Sequence, residues 1–298
     1  MSNLILLRGG GDLASGVALR LRHAGFGVII AELPQPLAVR RAVSFAEAVY
    51  AGQITVEDIT ARRAETPAEA LSLTQQGLIA VIVDPQAAML DEGQFTALVD
   101  ARLTKLPPDS VPAGYTALSS APLTIGLGPG FTAGENVHAV VETQRGHTLG
   151  RVYWTGSASA DSGLPEGDPR RVLRAPADGV LIAHAEIGAH VKAGQVLAEI
   201  QTVGHHGLRS TVHSPFKGVL RGLIHPGIQV SKSMKIGDVD PRDNPDYCFL
   251  VSDKALSIGG GVLEALMSYQ ARQKGSSWLN GKIKSFYHKA TKPRSFYA

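Results

Sequence analysis

The start of the chain combines a short apolar strand, a run of glycines and a helical pattern within about 30 residues. Leu4 to Leu7 form the predicted strand, and the helical pattern after the glycines stops at Gly25. A second apolar run, Val28 to Ala31, then ends at Glu32. A strand, a glycine turn, a helix and a strand are typical of the first unit of a Rossmann-like parallel sheet. The sequence therefore predicts that the fold begins with such a unit.

The glycine turn also carries a candidate binding site. The spacing Gly9-x-Gly11-x-x-Ala14 matches the small-residue variant of the dinucleotide fingerprint, and Glu32 lies 21 positions beyond Gly11. In such folds the acidic residue binds a ribose, and amides at the helix start bind phosphate. The predicted cofactor-binding residues here are Gly9, Gly10, Gly11, Asp12, Ala14 and Glu32. A nucleotide-like ligand and a purely structural turn both stay open at this point.

Further apolar runs extend the predicted sheet. Residues 78–83 and 97–103 are predicted strands, and residues 40–50 and 67–76 are predicted helices. Helices that alternate with continuous apolar strands favour a parallel α/β sheet. The first predicted domain is therefore a Rossmann-like α/β domain over residues 1–165.

An internal repeat with an offset of 39 residues relates residues 172–200 to residues 211–239. Prolines and glycines recur at equal positions between short apolar runs, which indicates β-strands separated by turns. The pattern resembles the biotinyl/lipoyl carrier fold, a barrel-sandwich hybrid. No lysine lies between Ile200 and Thr211, where a carrier domain presents its acylated lysine. The sequence thus predicts an all-β domain with a closing helix over residues 166–269, without biotin or lipoate.

Residues 125–151 concentrate glycines and ionisable side chains. A predicted strand over residues 137–143 places His138 and Glu142 on one face. An imidazole and a carboxylate can transfer protons, so these two residues are the catalytic candidates. Guanidinium groups and glycine-loop amides can bind an oxyanion, and the cofactor-binding candidates here are Gly126, Gly128, Gly130, Arg145 and His147. A buried polar network at a domain junction is the alternative.

Metal binding is not predicted. The spacing of His138, Glu142 and His147 matches no zinc motif. The adjacent histidines His205 and His206 would point apart on their loop, which favours an exposed polar tip.

The net charge of +3 arises at the end of the chain. Residues 270–298 hold 7 of the 29 Lys and Arg and no acid, which leaves 22 basic against 26 acidic residues elsewhere. This tail is predicted to be a disordered extension, and nucleic-acid binding is not expected of the mildly acidic body. No apolar run approaches the roughly 20 residues that span a bilayer, and no signal-peptide pattern is present. The single cysteine, Cys248, fits a reducing compartment, so a cytoplasmic location is expected.

Several separated motifs occur in order along residues 2–269. They are residues 8–16, 40–41, 126–131, 138–147, 235–242, 252–254 and 259–265. Together they resemble the selenium-dependent molybdenum hydroxylase system accessory proteins. The resemblance implies a bacterial cytoplasmic factor in the maturation of a molybdenum hydroxylase, with a domain akin to xanthine dehydrogenase accessory factors. The hydroxylase apo-enzyme is then the expected partner, and self-association stays open.

The resemblance also suggests a cargo for the two glycine-rich segments. We hypothesise that they cradle a molybdopterin-type cofactor or a nucleotide through its phosphate. Arg145 would neutralise charge, while His138 and Glu142 would orient the ligand or transfer a proton. Two alternatives remain: an NAD-dependent oxidoreductase that uses Glu32, and a docking scaffold that binds no ligand.

Overall fold

The computed structural model of the protein describes residues 3–103, 116–161, 167–202 and 209–273. His205, His206 and the tail from residue 274 onward lie outside the described residues. Among the helices of the described ranges, none is both long enough and apolar enough to cross a membrane.

A mixed sheet of nine strands forms the centre of the first unit. In chain order the strands of this unit are β1 (Leu4–Arg8), β2 (Gly27–Glu32), β3 (Gln53–Val56), β4 (Ile59–Ala64), β5 (Ile79–Val83), β6 (Ala97–Asp100), β7 (Thr124–Leu127), β8 (Thr132–Ala133), β9 (Ala139–Val141), β10 (Val152–Tyr153) and β11 (Gly156–Ser157). Seven neighbours in the order β9-β7-β6-β1-β2-β5-β4 run parallel. Strands β10 and β3 pair antiparallel at the two edges, while β8 and β11 form a separate pair.

Helices cover both faces of this sheet, which explains why its central strands are continuously apolar. The helices are α1 (Asp12–His23), α2 (Ala48–Ala51), α3 (Pro67–Gln75) and α4 (Asp253–Gln273). On one face Ile5 and Leu7 of β1 share a core with α1 and α4. On the other face Leu6 shares a core with Leu73 of α3.

Helices α1 and α4 pack closely because glycines lie where they cross. A Cβ atom on Gly16 would lie 2.6 Å from the Cβ of Ala255, and one on Gly259 would lie 2.6 Å from the carbonyl oxygen of Gly16. Both distances are too short for real side chains, whereas a Cβ on Gly260 would meet open space. The glycines of residues 259–261 lie inside α4, and this helix completes the core of the first unit.

The second unit consists of two four-stranded antiparallel sheets. Its strands are β12 (Val172–Arg174), β13 (Gly179–Ala183), β14 (His190–Val191), β15 (Val196–Gln201), β16 (Arg209–His213), β17 (Gly218–Leu223), β18 (Gln229–Val230) and β19 (Lys235–Asp240). The sheet orders are β12-β19-β17-β14 and β16-β15-β13-β18, so each sheet takes two strands from each half of the repeat. An apolar core that includes Leu181, Ile200, Leu220 and Val239 draws on both sheets.

The structure corrects the predicted fold class. The sequence predicts a Rossmann-like parallel sheet and a barrel-sandwich-hybrid-like domain, whereas the structure has a large mixed sheet and separate antiparallel sheets. Only the broader class, α/β, is retained. The antiparallel edges escape detection because β3 is mostly polar or exposed and β10 has two residues.

The predicted helix over residues 40–50 is also largely wrong. It consists of two single 3₁₀ turns, Arg41–Val43 and Phe45–Glu47, followed by the short α2. Arg40 and Arg41 turn toward the second unit, where Arg40 donates to the carbonyls of Tyr247 and Leu250. These long-range hydrogen bonds of Arg40 stabilise an irregular backbone in this segment instead of a regular helix.

Candidate functional site

A cavity of about 330 Å³ opens at the carboxyl ends of β1, β2, β5 and β6. In the sheet β1 lies between β2 and β6, so the direction of strand order reverses beside it. Open α/β sheets bind their ligands at such a switch point. The cavity is lined by Arg8, Gly9, Gly11, Asp12, Leu13, Ala14, Ala31, Glu32, Leu33, Pro36, Leu37, Ala38, Asp84, Pro85, Ala101, Arg102 and Leu103. We call it the switch-point pocket.

The glycine turn shapes the floor of the switch-point pocket. Gly9 has a φ of +91°, a left-handed conformation that favours glycine, and it lies against the backbone of Ala101. Gly11 has a φ of −64°, and a Cβ there would meet no atom within 4 Å. The first helical bond of α1 runs from the Ser15 amide to the Gly11 carbonyl at 2.8 Å. Amides that precede such a bond have no partner within the helix and attract anions.

The predicted ribose-binding acid, Glu32, is engaged within the protein. One carboxylate oxygen accepts from the Gly10 amide at 2.6 Å and the other from the Leu33 amide at 2.7 Å. The residue is 7% exposed, and its burial raises its pKa while the two amide bonds oppose the shift. Glu32 therefore ties β2 to the glycine turn. Gly10 is needed for packing there, because a Cβ would lie 3.0 Å from the Ala46 nitrogen.

The other charged residues of the pocket are also held in place. Asp84 accepts from the amides of Ala88 and Met89, so it caps the turn after β5. Buried Arg8 donates to the Pro85 carbonyl at 3.1 Å. Arg102 forms a bidentate pair with buried Asp100, which also accepts from Thr116. Sequence reasoning missed Arg8 and Arg102 as pocket residues; the signal that could have found them is that Arg8 ends β1 and Arg102 follows the end of β6.

The second predicted segment, residues 126–147, does not line the switch-point pocket. Its glycines make room for neighbouring side chains. A Cβ on Gly126 would collide with the Phe131 ring, and one on Gly128 would lie 2.5 Å from the Thr143 hydroxyl. Gly128 and Gly130 also have φ values of +73° and +99°. Side chains of the same segment therefore fill the space beside Gly126 and Gly128.

Glu142, one of the catalytic candidates, is 0% exposed. One of its oxygens accepts from the amides of Thr143 and Gln144, both at 2.8 Å. The other accepts from the amide and the hydroxyl of Ser159, at 2.9 and 2.8 Å. Four bonds occupy the carboxylate, so it organises the loop that joins β9 to the segment after β11.

His138, the other catalytic candidate, binds a neighbouring strand. Its Nδ1 accepts from the Thr124 amide at 3.0 Å and lies 2.8 Å from the Thr124 hydroxyl. Acceptance at Nδ1 requires the tautomer with the proton on Nε2. Burial lowers the pKa of His138, which favours this neutral form. No bond joins His138 to Glu142 among the described residues.

Arg145 and His147 lie on the exposed side of this loop. Arg145 forms a bidentate pair with Asp253 at the start of α4, with distances of 2.7 and 2.9 Å. The guanidinium lowers the pKa of Asp253 to about 2. His147 is exposed, and its carbonyl accepts from Arg151. The predicted site residues thus fall into two separate groups, one around the switch-point pocket and one around Glu142.

Contacts between the two units involve residues 40–50. Arg41 Nε donates to the Leu223 carbonyl at 3.1 Å. The rings of Tyr50 and His225 stack with their centroids 4.0 Å apart. Burial raises the pKa of Tyr50 to about 12, with Glu47 and Glu32 adding to the shift. Within the described ranges, no three His, Cys, Asp or Glu side chains are grouped so that they could hold a metal ion.

Comparison with known proteins gives one relative of high similarity and several distant structures. No family model matches the chain. The chain is 48% identical over 268 residues to the uncharacterized protein YqeB of Escherichia coli K12, covering 89% of this chain but 47% of that protein. The chain therefore spans about half the length of this relative.

Three similar solved structures are distant in sequence. An aspartoacylase family protein from Mesorhizobium loti is 14% identical, with a TM-score of 0.29, covering 80% of this chain and 85% of that one. A succinylglutamate desuccinylase/aspartoacylase from Rhodobacter sphaeroides is 14% identical, with a TM-score of 0.27 and coverages of 79% and 84%. The ectoine utilization protein EutE (DoeB) from Ruegeria pomeroyi is 10% identical, with a TM-score of 0.24 and coverages of 79% and 56%. Scores this low carry no argument for a hydrolase activity in this chain.

These findings correct the family predicted from the motifs. The relative is uncharacterized, and the similar structures are those of an aspartoacylase family protein, a succinylglutamate desuccinylase/aspartoacylase and an ectoine utilization protein, not of xanthine dehydrogenase accessory factors. The predicted assignment to the selenium-dependent molybdenum hydroxylase system, and the maturation role that it implied, are therefore wrong. A physical reason lies in the motifs themselves, since Gly126, Gly128 and Glu142 are explained by local packing and hydrogen bonds.

Proposed function

We propose that this chain binds a small organic anion with an apolar body in the switch-point pocket. The observation that carries the proposal is the open space in front of Gly11, at the start of α1 and at the reversal of strand order. A carboxylate or a phosphate monoester there would accept from the first amides of α1 and gain from the helix dipole.

The acids of the pocket support the binding of an anion at the start of α1, because each of these carboxylates has a partner elsewhere. Glu32 and Asp84 accept from backbone amides, and Asp12 lies 3.5 Å from the Arg40 guanidinium. None of them accepts from the first amides of α1 in the described hydrogen bonds. Those amides therefore stay available to a ligand, with the buried cation Arg8 also lining the pocket.

The apolar body of the ligand would lie against the rim of the pocket. Leu33 and Leu37 line it and are 49% and 48% exposed, so both apolar side chains are accessible to a ligand. Leu103 lines it from the segment after β6. Small-molecule sites typically combine an apolar lining with a few directed polar groups, in cavities of roughly 300–1,000 Å³. The switch-point pocket lies at the lower end of that range.

Binding rather than catalysis is the proposed activity. His138 and Glu142 lie outside the pocket, and Glu142 already accepts four bonds. We further propose a division into a first unit, residues 3–161 with α4, and a second unit, residues 167–252. The cytoplasmic location and the lack of nucleic-acid binding stay predictions from the sequence.

Titration calorimetry with inorganic phosphate and with phenyl phosphate tests the proposal. Gly11→Leu should abolish binding at this pocket, because φ there suits any residue and the new side chain enters the open space. Gly260→Leu is the matched control, since a Cβ there also meets open space, but on α4. We expect phenyl phosphate to bind the unsubstituted protein more tightly than phosphate, and Leu37→Ser to reduce that preference. Equal affinity of phenyl phosphate for Gly11→Leu and Gly260→Leu would refute the proposal.

A further inference from the structure

A second and larger cavity, of about 750 Å³, opens at the edge of the main sheet opposite to the switch-point pocket. It lies at the amino ends of β1, β6 and β7, which are neighbours in the sheet, and beside the last turn of α4. We call it the amino-edge pocket. Its lining comes from Asn3, Leu90, residues 93–96, residues 120–122 and the α4 residues Tyr269, Gln270 and Gln273.

The two pockets are separate sites. No lining residue in the described ranges is shared, and the switch-point pocket lies at the carboxyl ends of the same strands β1 and β6. Strand β1 has 5 residues, so roughly 16 Å of sheet separates its two ends. A ligand in the amino-edge pocket would therefore not contact a ligand in the switch-point pocket, and the two sites can be tested independently.

The amino-edge pocket differs from the switch-point pocket in the charge of its lining. The switch-point pocket is lined by the acidic and basic side chains of Arg8, Asp12, Glu32, Asp84 and Arg102. Among the described residues that line the amino-edge pocket, none is an acid, a lysine, an arginine or a histidine. A charged ligand there would lose hydration without gaining an opposite charge. The lining therefore favours a neutral ligand.

Side-chain carboxamides supply most of the hydrogen-bonding groups of the amino-edge pocket. Gln270 and Gln273 line it from the end of α4, Asn3 lines it from before β1, and Tyr269 adds a phenol hydroxyl. None of these four side chains makes a hydrogen bond to another residue of the described ranges. A carboxamide offers two donors and one acceptor, so it matches a ligand edge that carries a donor beside an acceptor, as an amide or a purine does.

Apolar and aromatic side chains form the rest of the wall. Phe95 is 7% exposed, and its ring lies so close to Gly93 that a Cβ atom there would lie 2.8 Å from it. The missing side chain of Gly93 therefore permits this position of the ring. Leu90 packs against the same core as Phe95, and Tyr269 packs against the core on the other face of the sheet. Two aromatic side chains at one cavity favour a planar aromatic ligand, which can pack against either ring.

We propose that the amino-edge pocket binds a neutral planar aromatic molecule that carries an amide-like donor and acceptor at one edge. The aromatic body packs against Leu90, Phe95 and Tyr269, and the polar edge bonds to the carboxamides of Gln270 and Gln273. The volume of the cavity falls within the roughly 300–1,000 Å³ that small-molecule sites occupy. The site is independent of the proposed function, because it takes a neutral ligand at the other edge of the sheet.

Saturation-transfer NMR with benzamide and benzoate tests the amino-edge pocket, since the two probes have the same size and differ in charge. We expect benzamide to bind the unsubstituted protein and Gly11→Leu equally. Benzoate is an organic anion with an apolar body, so its binding should be lost in Gly11→Leu, where the switch-point pocket is blocked. Gln270→Trp should weaken benzamide binding on the order of tenfold or more, because the indole fills the cavity. Gln75→Trp, at an exposed position in the last turn of α3, is the matched control.

A second pair of variants tests the carboxamide itself. Gln270→Met keeps the length of the side chain but removes its hydrogen-bonding groups, so it should bind benzamide roughly threefold or more weakly than Gln75→Met does. Thermal unfolding shows whether Gln270→Trp folds. If it does not, the comparison of Gln270→Met with Gln75→Met decides the matter.

Four results would overturn the amino-edge pocket as a neutral site. They are the absence of benzamide binding by the unsubstituted protein, equal benzamide affinity of the substituted proteins within either pair, loss of benzamide binding in Gly11→Leu, and displacement of benzamide by benzoate in Gly11→Leu. None of them refutes the switch-point pocket, which depends on the difference in phenyl phosphate affinity between Gly11→Leu and Gly260→Leu.

Discussion

Two glycine-rich loops of this protein have similar compositions and opposite surroundings. In each, a buried glutamate accepts from backbone amides: Glu32 from Gly10 and Leu33, and Glu142 from Thr143, Gln144 and Ser159. The turn at residues 9–11 ends in open space before a helix, whereas the loop at residues 126–130 is filled by its neighbours. Glycines therefore mark a ligand site only where the missing side chain leaves an unoccupied volume.

The largest expected effect is at Gly126. Gly126→Ala should lower the free energy of unfolding by about 3 kcal/mol, because the new methyl group collides with the buried Phe131 ring. Gly260→Ala is the control and should raise it by roughly 0.5–1 kcal/mol, the helix propensity of alanine over glycine. Urea denaturation measures both. An unchanged stability of Gly126→Ala would mean that the second loop has open space after all.

The two glutamates should differ in their contributions to stability. Glu142→Gln should cost about 2 kcal/mol, because an amide NH₂ would face the Ser159 amide in a fully buried site. Glu32→Gln should cost about 1 kcal/mol, since relief of its burial penalty offsets part of the lost bonds. Glu135→Gln, at an exposed position, serves as the reference in the same urea experiment. A larger loss of unfolding free energy for Glu32→Gln than for Glu142→Gln would show that the carboxylate of the first loop contributes more to stability.

The acid dependence of stability should reveal the contribution of the Arg145–Asp253 ion pair, which lies on the exposed side of the second loop. Arg145 holds the pKa of Asp253 at about 2, below its ordinary 3.8. A depressed carboxyl pKa stabilises the fold above the ordinary value, and this contribution is lost as the pH falls toward 2. The pair is largely exposed, so Arg145→Ala should cost less than about 1 kcal/mol at neutral pH. The free energies of unfolding of the unsubstituted protein and of Arg145→Ala, measured in urea, should converge at acidic pH. A difference that stays constant with pH would show that the ion pair is not its cause.

The smallest effect on stability is expected in the first loop. Gly11→Ala should change the free energy of unfolding by no more than about 0.5 kcal/mol, because its backbone suits any residue and the methyl group meets no atom. The same substitution should weaken phenyl phosphate binding. A large destabilisation in urea would show that the space before α1 is not open.

Much of the first unit could be predicted from its residues. The strand–turn–helix–strand order and the position of Glu32 follow from apolar runs and glycine spacing, since short-range patterns record local structure. No short-range pattern indicates that a side chain from another part of the chain will fill the space inside a loop. Nothing in the sequence around Gly128 indicates that Thr143 would occupy the adjacent space. Likewise, residues 40–50 have a helical pattern, but Arg40 bonds to Tyr247 and Leu250, more than 200 positions away.

The return of α4 to the first unit has a consequence for the order of folding. The second unit is an insertion within the first, because its chain lies between residue 161 and Asp253 and both flanks belong to one core. Gly16 can meet Gly259 only after the whole inserted unit has been synthesised. On the ribosome, the inserted β-structure can therefore complete its own core while one face of α1 is still uncovered. The nascent chain then exposes an apolar helix face for as long as translation of the insertion takes.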